Sequence, residues 1–370
     1  MLRFFALLER LDWTLLISAI TLTSISLANI YGIGLSRNPV DLSSFHKQLA
    51  AFIIGIVLIG VLVLLDYRFL QSYALYAYLF GALLLVLVLL VGHESRNVTG
   101  WFRLGSLSFQ PVEIAKLTLT IYLASLFTRR RHGALDWRTF GLSAAATFAY
   151  VGLIMRQPDF GSSMVVIATW GAMCVFAGLP RRGWIILPTI ILTIGLLLWN
   201  FGLKPYQHDR ILVFLNPHAD PRGSGYNAEQ ARIAIGAGGL FGQGIGEGSQ
   251  ARLRFLPEAI TDFMIAVIGE EMGFVGMFLV LGLSFLVLLR YLFLAKESED
   301  DFAALLLVGL GATLLIHITV NAGMNLGLMP ITGIPMPFVS SAASSLVVAF
   351  LSLGIAQSIA VRRRVSSASI

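Results

Sequence analysis

Long apolar runs alternate with short polar segments along most of this chain of 370 residues. Ten of the runs are close to the roughly 20 residues that a helix needs to cross a bilayer. They cover approximately residues 13–32, 48–66, 71–92, 110–128, 139–157, 161–179, 183–203, 262–295, 302–325 and 338–361. No alternation of polar and apolar residues indicates the strands of a membrane barrel. The pattern predicts an all-α integral membrane protein with about ten transmembrane helices.

Composition supports this prediction. The chain is 57% hydrophobic and 12% charged, whereas soluble domains carry about 25% charged residues. We find no second domain and predict a single polytopic membrane domain over residues 1–370. Cys174 is the only cysteine, which excludes an intrachain disulfide. The charged residues before the first run, with no small-residue cleavage motif, are not typical of a cleaved signal peptide.

Basic clusters predict the orientation. They lie between the fourth and fifth runs, between the sixth and seventh, and after the tenth, at 129–131, 181–182 and 362–364. An even number of spans places all three clusters on one side, which the positive-inside rule makes cytoplasmic. We therefore expect both termini in the cytoplasm. The same rule accounts for the net charge of +6, so we predict no nucleic-acid partner.

The polar stretch 204–261 separates the seventh and eighth runs and is predicted to be a large extracytoplasmic loop. Four shorter segments share its side, around 37–47, 99–116, 156–161 and 330–338, and we expect all five to converge on one outward cavity. The Gly-rich part of the loop lacks the Gly-Lys-Ser/Thr ending of a nucleotide-binding P-loop. It is better interpreted as a re-entrant or interfacial segment, and no nucleotide cofactor is predicted.

Asp262 is the first candidate for chemistry. Pro257 and Thr261 mark the start of a helix and place Asp262 in its first turn. Capping alone would explain an acid there. The alternative is a general base, because a carboxylate in a partly desolvated pocket has a pKa nearer the operating pH. Glu270 and Glu271, two turns further on, rank second, as partners for arginines.

Four further charged residues have two interpretations each. Glu113 and Lys116 are three residues apart on one helix, where they form either a local ion pair or a buried pair lining the cavity. Asp159 either caps the sixth span or holds a cavity wall. Arg210 is either a solvated loop charge or a diphosphate ligand, since a guanidinium matches two phosphate oxygens.

Several segments carry a resemblance to a known family. They are Phe109–Lys116, Gln157–Asp159, Asn216–Tyr226, Ile233–Gly244, Phe255–Phe263 and Thr332–Ser340. Together they resemble the shape, elongation, division and sporulation (SEDS) family, and Ile233–Gly244 favours its elongation members over its division members. The ten-span plan extends the resemblance over the whole chain.

The resemblance implies a peptidoglycan glycosyltransferase of the bacterial cytoplasmic membrane. It would polymerise lipid II outside that membrane, beside a class B penicillin-binding protein and other membrane proteins of the elongation machinery. The essential aspartate of the family falls on Asp262, and its cavity pair falls on Glu113 and Lys116. Trp101, Arg103 and Ser340 join Asp159 and Arg210 as candidate substrate-binding residues.

Three positions depart from the family pattern. Ile260 stands where a histidine is usual, and Gly100 stands where an arginine precedes the loop tryptophan. Ser341-Ala342-Ala343 replaces the usual Tyr-Gly-Gly. The departures leave Asp262 in place but alter the predicted surroundings of its carboxylate.

The expected chemistry has two requirements. Asp262 would take the proton of the attacking sugar hydroxyl. Arg210, Lys116 or a divalent cation, Mg²⁺ or Mn²⁺, would stabilise the leaving diphosphate. Two other functions stay open at this point. One is a transporter that moves lipid II across the membrane, since intramembrane charges suit transport too. The other is a non-catalytic scaffold for the penicillin-binding protein.

Overall fold

The computed structural model describes residues 9–95, 98–105, 107–129, 135–216, 223–253 and 255–366. Its helices are α1 Trp13–Ser36, α2 Ser43–Leu64, α3 Arg68–Ser72, α4 Ala74–Val91, α5 Pro111–Phe127, α6 Trp137–Arg156, α7 Phe160–Phe176, α8 Gly183–Leu197, α9 Pro205–Leu215, α10 Ser224–Ala237, α11 Ser249–Arg252, α12 Met264–Lys296, α13 Asp301–Asn325 and α14 Ala343–Ser366. A π-helical turn, Leu198–Gly202, extends α8.

The ten predicted spans are all helical. In the described part of the chain, eight helices are long and apolar enough to cross a membrane, namely α1, α2, α4, α6, α8, α12, α13 and α14. The other two predicted spans are α5 and α7, which have 17 residues each. The protein is therefore an all-α membrane protein, as predicted.

Aspartates fix the start of several membrane helices. The carboxylate of Asp12 accepts a hydrogen bond from the backbone N–H of Leu15 at 3.0 Å and so caps α1. Asp136, Asp159 and Asp300 cap α6, α7 and α13 in the same way. Each cap satisfies a backbone donor that a helix leaves unpaired at its N-terminus, and its negative charge is favoured there.

Helix α2 packs closely against α14, which lies at the centre of the molecule. In the most apolar part of α14, 78% of residues are buried inside the protein, against 11% for α8, so α14 is central and α8 peripheral. A Cβ atom at Gly55 of α2 would lie 2.6 Å from the ring of Phe350 in α14. Small residues of this kind let membrane helices approach each other closely.

Helix α12 is broken at Gly273, whose φ of 67° and ψ of −165° lie outside the helical region. The Gly-rich segment after α10 supplies hydrogen bonds at the break. The Gln243 N–H donates to the carbonyl of Glu270 at 3.0 Å, and the Phe274 N–H donates to the carbonyl of Gly239 at 2.9 Å. The broken helix thus keeps its backbone groups paired, which an apolar environment requires.

A glycine is needed at position 238 of this segment for packing. A Cβ atom there would lie 1.8 Å from the carbonyl oxygen of Gly269 in α12. The Gly-rich stretch, predicted to be re-entrant or interfacial, is therefore built for close backbone contact with a membrane helix.

A small antiparallel sheet, which the sequence did not predict, lies between α4 and α5. Its strands are β1 His93–Ser95, β2 Val98–Leu104 and β3 Leu107–Phe109, in the order β1-β2-β3. With three residues each, β1 and β3 are too short to produce a periodic pattern, although Thr99, Trp101 and Phe102 of β2 are all good strand formers.

The first and last membrane helices meet at the end of the bundle where α1 begins. Asp12 accepts a hydrogen bond from the Arg290 Nε of α12 at 2.9 Å. The side chain of Gln357 in α14 exchanges hydrogen bonds with the Asp12 backbone, each of 2.9 Å. Arg362, from the last basic cluster, bonds backbone carbonyls at the end of α2. This end is opposite the cavity described next.

A candidate active site at one end of the helical bundle

A cavity of about 350 Å³ opens at the end of the bundle where α1 ends. All five segments that the sequence placed together contribute to its wall, so their predicted convergence is confirmed. The lining residues used below are Lys47, Gln48, Trp101, Arg103, Gln110, Asp159, Tyr206, Arg210, Ile260, Asp262, Gly333, Pro335, Ser341 and Ser344. The volume lies within the range of about 300–1,000 Å³ that is usual for ligand pockets.

Asp262 lies in the cavity wall, half-buried, two residues before α12. Its backbone N–H donates to the carbonyl of Glu258 at 3.1 Å and closes a tight turn. The carboxylate faces the opposite loop, because its Oδ2 lies 3.6 Å from the position that a Cβ atom at Gly333 would take. Asp262 therefore presents its carboxylate across the cavity and is not buried in a cap.

Three cationic side chains from three elements line the same cavity. They are Lys47 of α2, Arg103 of β2 and Arg210 of α9. The guanidinium of Arg210 lies 5.7 Å from the ring centre of Tyr206, a cation–π contact that limits its freedom. The sequence analysis missed Lys47 as a site residue. The only sequence feature that could have indicated Lys47 is its position as a basic residue at the border between a polar segment and an apolar run.

The small sheet brings Trp101 and Arg103 to the cavity together. They lie two residues apart on β2, so they share one face of the strand. Trp101 pairs with His93 of β1, and Arg103 pairs with Ser108 of β3. An aromatic ring and a guanidinium are thus presented side by side.

For Asp159, both interpretations of the sequence hold. Its Oδ1 accepts from the backbone N–H of Ser162 at 2.9 Å, and its Oδ2 accepts from the Ser162 hydroxyl at 2.7 Å. The Gln110 amide approaches Oδ2 at 3.4 Å. Burial raises the pKa of Asp159, and the hydrogen bonds from Ser162 oppose that rise. Asp159 caps α7 and also forms part of the cavity wall.

Glu113 and Lys116 do not line this cavity. They form an ion pair of 2.8 Å between Glu113 Oε1 and Lys116 Nζ, with both side chains only 6% exposed. The pair lies on a second cavity of about 60 Å³ with mostly apolar walls. Lys116 Nζ also lies 3.0 Å from Nε2 of His317 in α13. Glu113 and Lys116 therefore form a local ion pair that is also buried. The pair borders the small second cavity and not the large polar one.

Ser340 supports the cavity wall from behind and is absent from its lining. Its hydroxyl accepts from the backbone N–H of Met336 at 2.8 Å, and its carbonyl accepts from the Gln48 amide at 3.0 Å. Other serines line the cavity, among them Ser341 and Ser344. The Ser344 hydroxyl accepts from the backbone N–H of Gln110 at 3.1 Å.

Two of the three departures from the family pattern are in contact. The Ser341 N–H donates to the carbonyl of Ile260 at 2.8 Å, and both residues line the cavity close to Asp262. Gly100 lies elsewhere, buried, where a Cβ atom would be 3.3 Å from the side-chain oxygen of Gln157. The wall beside Asp262 is therefore less polar than the family pattern implied.

Other charged residues of the long loop and of α12 form contacts outside the cavity. Arg232 pairs with Glu229 at 2.7 Å on the surface, and Arg222 lies outside the described residues. Glu270 accepts hydrogen bonds from the hydroxyl of Ser249 and the N–H of Gln250. Among the residues with described positions, neither Glu270 nor Glu271 pairs with an arginine, so the expected arginine partners are not found.

In the part of the chain that the structure describes, a bundle of membrane helices with a polar, cation-lined cavity at one end defines a multi-pass membrane protein with a candidate site. A family model, FTSW_RODA_SPOVE, described as "Cell cycle protein", matches residues 7–365. The chain belongs to this family.

Curated relatives are similar over nearly the whole chain. "Peptidoglycan glycosyltransferase MrdB" of Escherichia coli (strain K12) is 33% identical over 360 residues, which cover 97% of this chain and 96% of the relative. "Probable peptidoglycan glycosyltransferase FtsW" of Trichlorobacter lovleyi is 33% identical over 355 residues, covering 94% and 92%.

Solved structures share the fold. A chain from the structure described as "Structural coordination of polymerization and crosslinking by a peptidoglycan synthase complex" superposes with a TM-score of 0.80 at 32% identity, covering 95% of this chain and 98% of that one. The rod shape determining protein RodA of Thermus thermophilus superposes with a TM-score of 0.71 at 29% identity, covering 95% and 97%. These likenesses agree with an elongation-type member of the family.

Proposed function

We infer that this peptidoglycan glycosyltransferase polymerises lipid II in the cavity that holds Asp262, with Asp262 as the general base. The observation that carries the proposal is the placement of this carboxylate in a polar cavity whose wall also holds Lys47, Arg103 and Arg210. Base and cations thus border the same space, as transfer of a sugar from a diphosphate requires.

The reaction exchanges one bond for another. The acceptor sugar hydroxyl attacks the anomeric carbon of the donor, a C–O glycosidic bond forms, and the bond to the diphosphate oxygen breaks. Asp262 takes the hydroxyl proton and later releases it to water. The lipid diphosphate leaves with the bonding electrons, so no nucleotide is needed to drive the step.

The cations have the second role. Negative charge grows on the diphosphate as it leaves, and preorganised cations stabilise such charge in a site with little water. Arg210 and Arg103 suit diphosphate oxygens because a guanidinium donates to two of them at once. Trp101, on the same face of β2 as Arg103, offers an apolar surface to a sugar ring. Glu113 and Lys116 are then structural and do not touch substrate.

Asp262 is the carboxylate of this cavity that we propose would hold a divalent cation. Both oxygens of Asp159 already accept hydrogen bonds from Ser162. Within the described ranges no group of three or more metal-ligating side chains occurs. Mg²⁺ is often bound by one or two carboxylates together with substrate phosphates and water. Mg²⁺ or Mn²⁺ held by Asp262 and the diphosphate would neutralise charge on the leaving group.

The cavity end is proposed to face away from the cytoplasm. The basic residues Arg129, Arg138, Arg181, Arg182 and Arg362 adjoin helix ends on the opposite side of the bundle. An excess of basic residues in short loops marks the cytoplasmic side. Both termini would then be cytoplasmic, and the active site would open at the outer face of the bacterial cytoplasmic membrane.

A crosslinking partner follows from the nature of the product. Glycan strands become a wall only when their peptides are crosslinked, and a similar chain belongs to a complex that coordinates polymerization and crosslinking. We propose a class B penicillin-binding protein as the partner, together with membrane proteins of the elongation machinery.

The transporter and scaffold alternatives receive less support. The intramembrane charges that suggested transport line a space of about 60 Å³, far below the roughly 300 Å³ of small ligand pockets. A scaffold would not need a carboxylate and three cations around one cavity.

The test is glycan-chain formation from labelled lipid II by the purified protein, with its partner present. We expect Asp262→Asn, which keeps the size of the side chain, to reduce polymerisation by at least about 100-fold, the lower range of general-base contributions. Lipid II binding should persist. A chelator added to the wild type tests the divalent cation separately. Polymer formed at the wild-type rate by Asp262→Asn would refute the proposal.

A further inference from the structure

Helix α13 carries a buried polar stripe on its otherwise apolar surface. His317, Asn321 and Asn325 are spaced by four residues, so they lie on one face of the helix. Their exposed fractions are 2%, 0% and 0%. Buried polar groups cost free energy unless they are hydrogen-bonded, so the partners of this stripe indicate its role.

Two side chains of the stripe bond the same backbone carbonyl of Asp262. The side-chain amides of Asn321 and Asn325 both donate to the Asp262 carbonyl, each at 3.1 Å. The Asn325 side-chain oxygen accepts from the N–H of Ala266, in the first turn of α12, at 3.1 Å. Both asparagines therefore hold the backbone on which the proposed base is mounted.

The same stripe holds the opposite wall of the cavity. The Asn321 amide also donates to the carbonyl of Ile334 at 2.8 Å. His317 Nδ1 lies 3.0 Å from the carbonyl oxygen of Pro335. One face of one helix thus contacts both Asp262 and the loop that its carboxylate faces.

The chemistry of the neighbours fixes the tautomer of His317. A lysine ammonium can only donate, so Lys116 must donate to Nε2 across 3.0 Å. The proton of a neutral imidazole then sits on Nδ1, which donates to the Pro335 carbonyl. A chain of contacts therefore runs from the Glu113–Lys116 ion pair through His317 to the cavity wall.

We propose that His317, Asn321 and Asn325 are positioning residues that set the distance between Asp262 and the facing loop. None of the three lines the large cavity, so they act through the backbones they hold. The proposal rests on the role of Asp262 as general base. In this proposal the Glu113–Lys116 pair also has a positioning role, because it holds His317 in one tautomer and one orientation.

Asn321→Leu tests the proposal, because leucine has a similar size and cannot donate to either carbonyl. A displaced base slows the chemical step, and a misplacement of about 1 Å can cost about 100-fold in rate. We expect kcat to fall by about 10- to 100-fold with KM within about threefold of the wild type, because a loss confined to the transition state lowers kcat.

Asn29→Leu is the matched control. Asn29 is also a fully buried asparagine in a membrane helix, and its amide bonds the carbonyl of Ile25 in its own helix at 2.8 Å. We expect its kcat per folded molecule to stay within about twofold of the wild type. If Asn321→Leu loses no more kcat per folded molecule than Asn29→Leu, the stripe is merely structural and the proposal is wrong.

A second pair of variants decides the matter even where Asn321→Leu does not fold. In His317→Gln, the new side chain can accept from Lys116 through its oxygen and donate to Pro335 through its amide. His317→Leu can do neither. We expect His317→Gln to retain several-fold more kcat than His317→Leu at equal amounts of folded protein. Equal kcat values for the two variants would overturn the proposal.

Failure of this inference is distinguishable from failure of the proposed function. If Asp262→Asn is inactive while Asn321→Leu and His317→Leu keep the wild-type kcat, the base is correct and the positioning role is wrong. If Asp262→Asn is active, the proposed function itself fails.

Discussion

Two carboxylates border the cavity, and their hydrogen bonds separate their roles at the scale of single residues. Both oxygens of Asp159 accept from Ser162, and the pKa of Asp159 is raised by burial. The backbone carbonyl of Asp262 accepts hydrogen bonds from Asn321 and Asn325, and its carboxylate faces the loop around Gly333. Asp159 therefore supports the wall, and Asp262 is the residue that we propose meets substrate.

Gly333→Ala should reduce activity because the added methyl group fills space beside the carboxylate of Asp262. Gly333 has a φ of 73°, and an added Cβ atom would lie 3.6 Å from Asp262 Oδ2. The methyl group would occupy the approach to the carboxylate, so we expect kcat/KM for polymerisation to fall about 10-fold or more. The left-handed conformation should also cost about 1–2 kcal/mol of stability.

Gly327→Ala controls for that backbone strain. Gly327 has a φ of 72°, and a Cβ atom there would contact Arg232 rather than Asp262. We expect a similar fall in thermal stability with activity per folded molecule close to that of the wild type. Equal losses of activity in the two alanine variants would show that strain alone is responsible.

At the scale of elements, α12 and the Gly-rich segment after α10 depend on each other. The helix breaks at Gly273, and the segment supplies backbone partners on both sides of the break. The short half of α12 that follows Asp262 is thereby tied to the long loop. The shape of this loop therefore affects the position of Asp262, the proposed base.

Gly238→Ala should destabilise this junction. The φ of Gly238 is −74°, which alanine tolerates, but its Cβ atom would lie 1.8 Å from the Gly269 carbonyl oxygen. Backbone must move to relieve such a clash, so we expect a loss of about 1–3 kcal/mol in the free energy of unfolding. Thermal unfolding in detergent measures it.

Gly236→Ala, two residues earlier along the chain, is the matched control. Gly236 lies within α10, and a Cβ atom there would meet nothing within 4 Å. Alanine favours a helix over glycine by about 1 kcal/mol, so this variant should be as stable as the wild type or more stable. A Gly238→Ala protein with unchanged melting temperature would contradict the packing argument.

At the scale of the whole molecule, the two ends of the bundle differ. One end holds the polar cavity, and the other holds the contacts of Asp12 with Arg290 and Gln357. Those contacts join α1, α12 and α14 away from the site. The basic clusters of the short loops adjoin this second end, which predicts its orientation toward the cytoplasm.

Single-cysteine labelling in intact cells tests the orientation. Asp209→Cys lies at the cavity end and Glu299→Cys at the opposite end, and both positions are exposed. We expect a membrane-impermeant maleimide to label the first and not the second. Cys174 is fully buried and should add little background.

Permeabilised cells provide the control, because both cysteines should react once the reagent reaches the cytoplasm. Labelling of Glu299→Cys in intact cells, with none of Asp209→Cys, would place the site in the cytoplasm and refute the proposed orientation.

The sequence by itself predicted the membrane helices and the convergence of five segments on one cavity, and it offered capping as one of two roles for Asp159. These features are local, or follow from counting spans, because helix length is set by the bilayer and caps by the residue before the helix. The family motifs also identified Asp262 as the candidate base.

Only the tertiary structure decided which side chains share a space. It placed Glu113 and Lys116 in a separate small cavity, and it added Lys47 to the site. It also joined Asn321, 59 residues from Asp262, to the backbone of that residue. Such contacts depend on how helices distant in sequence pack and on where α12 breaks, and the periodicity of one segment carries no information about either.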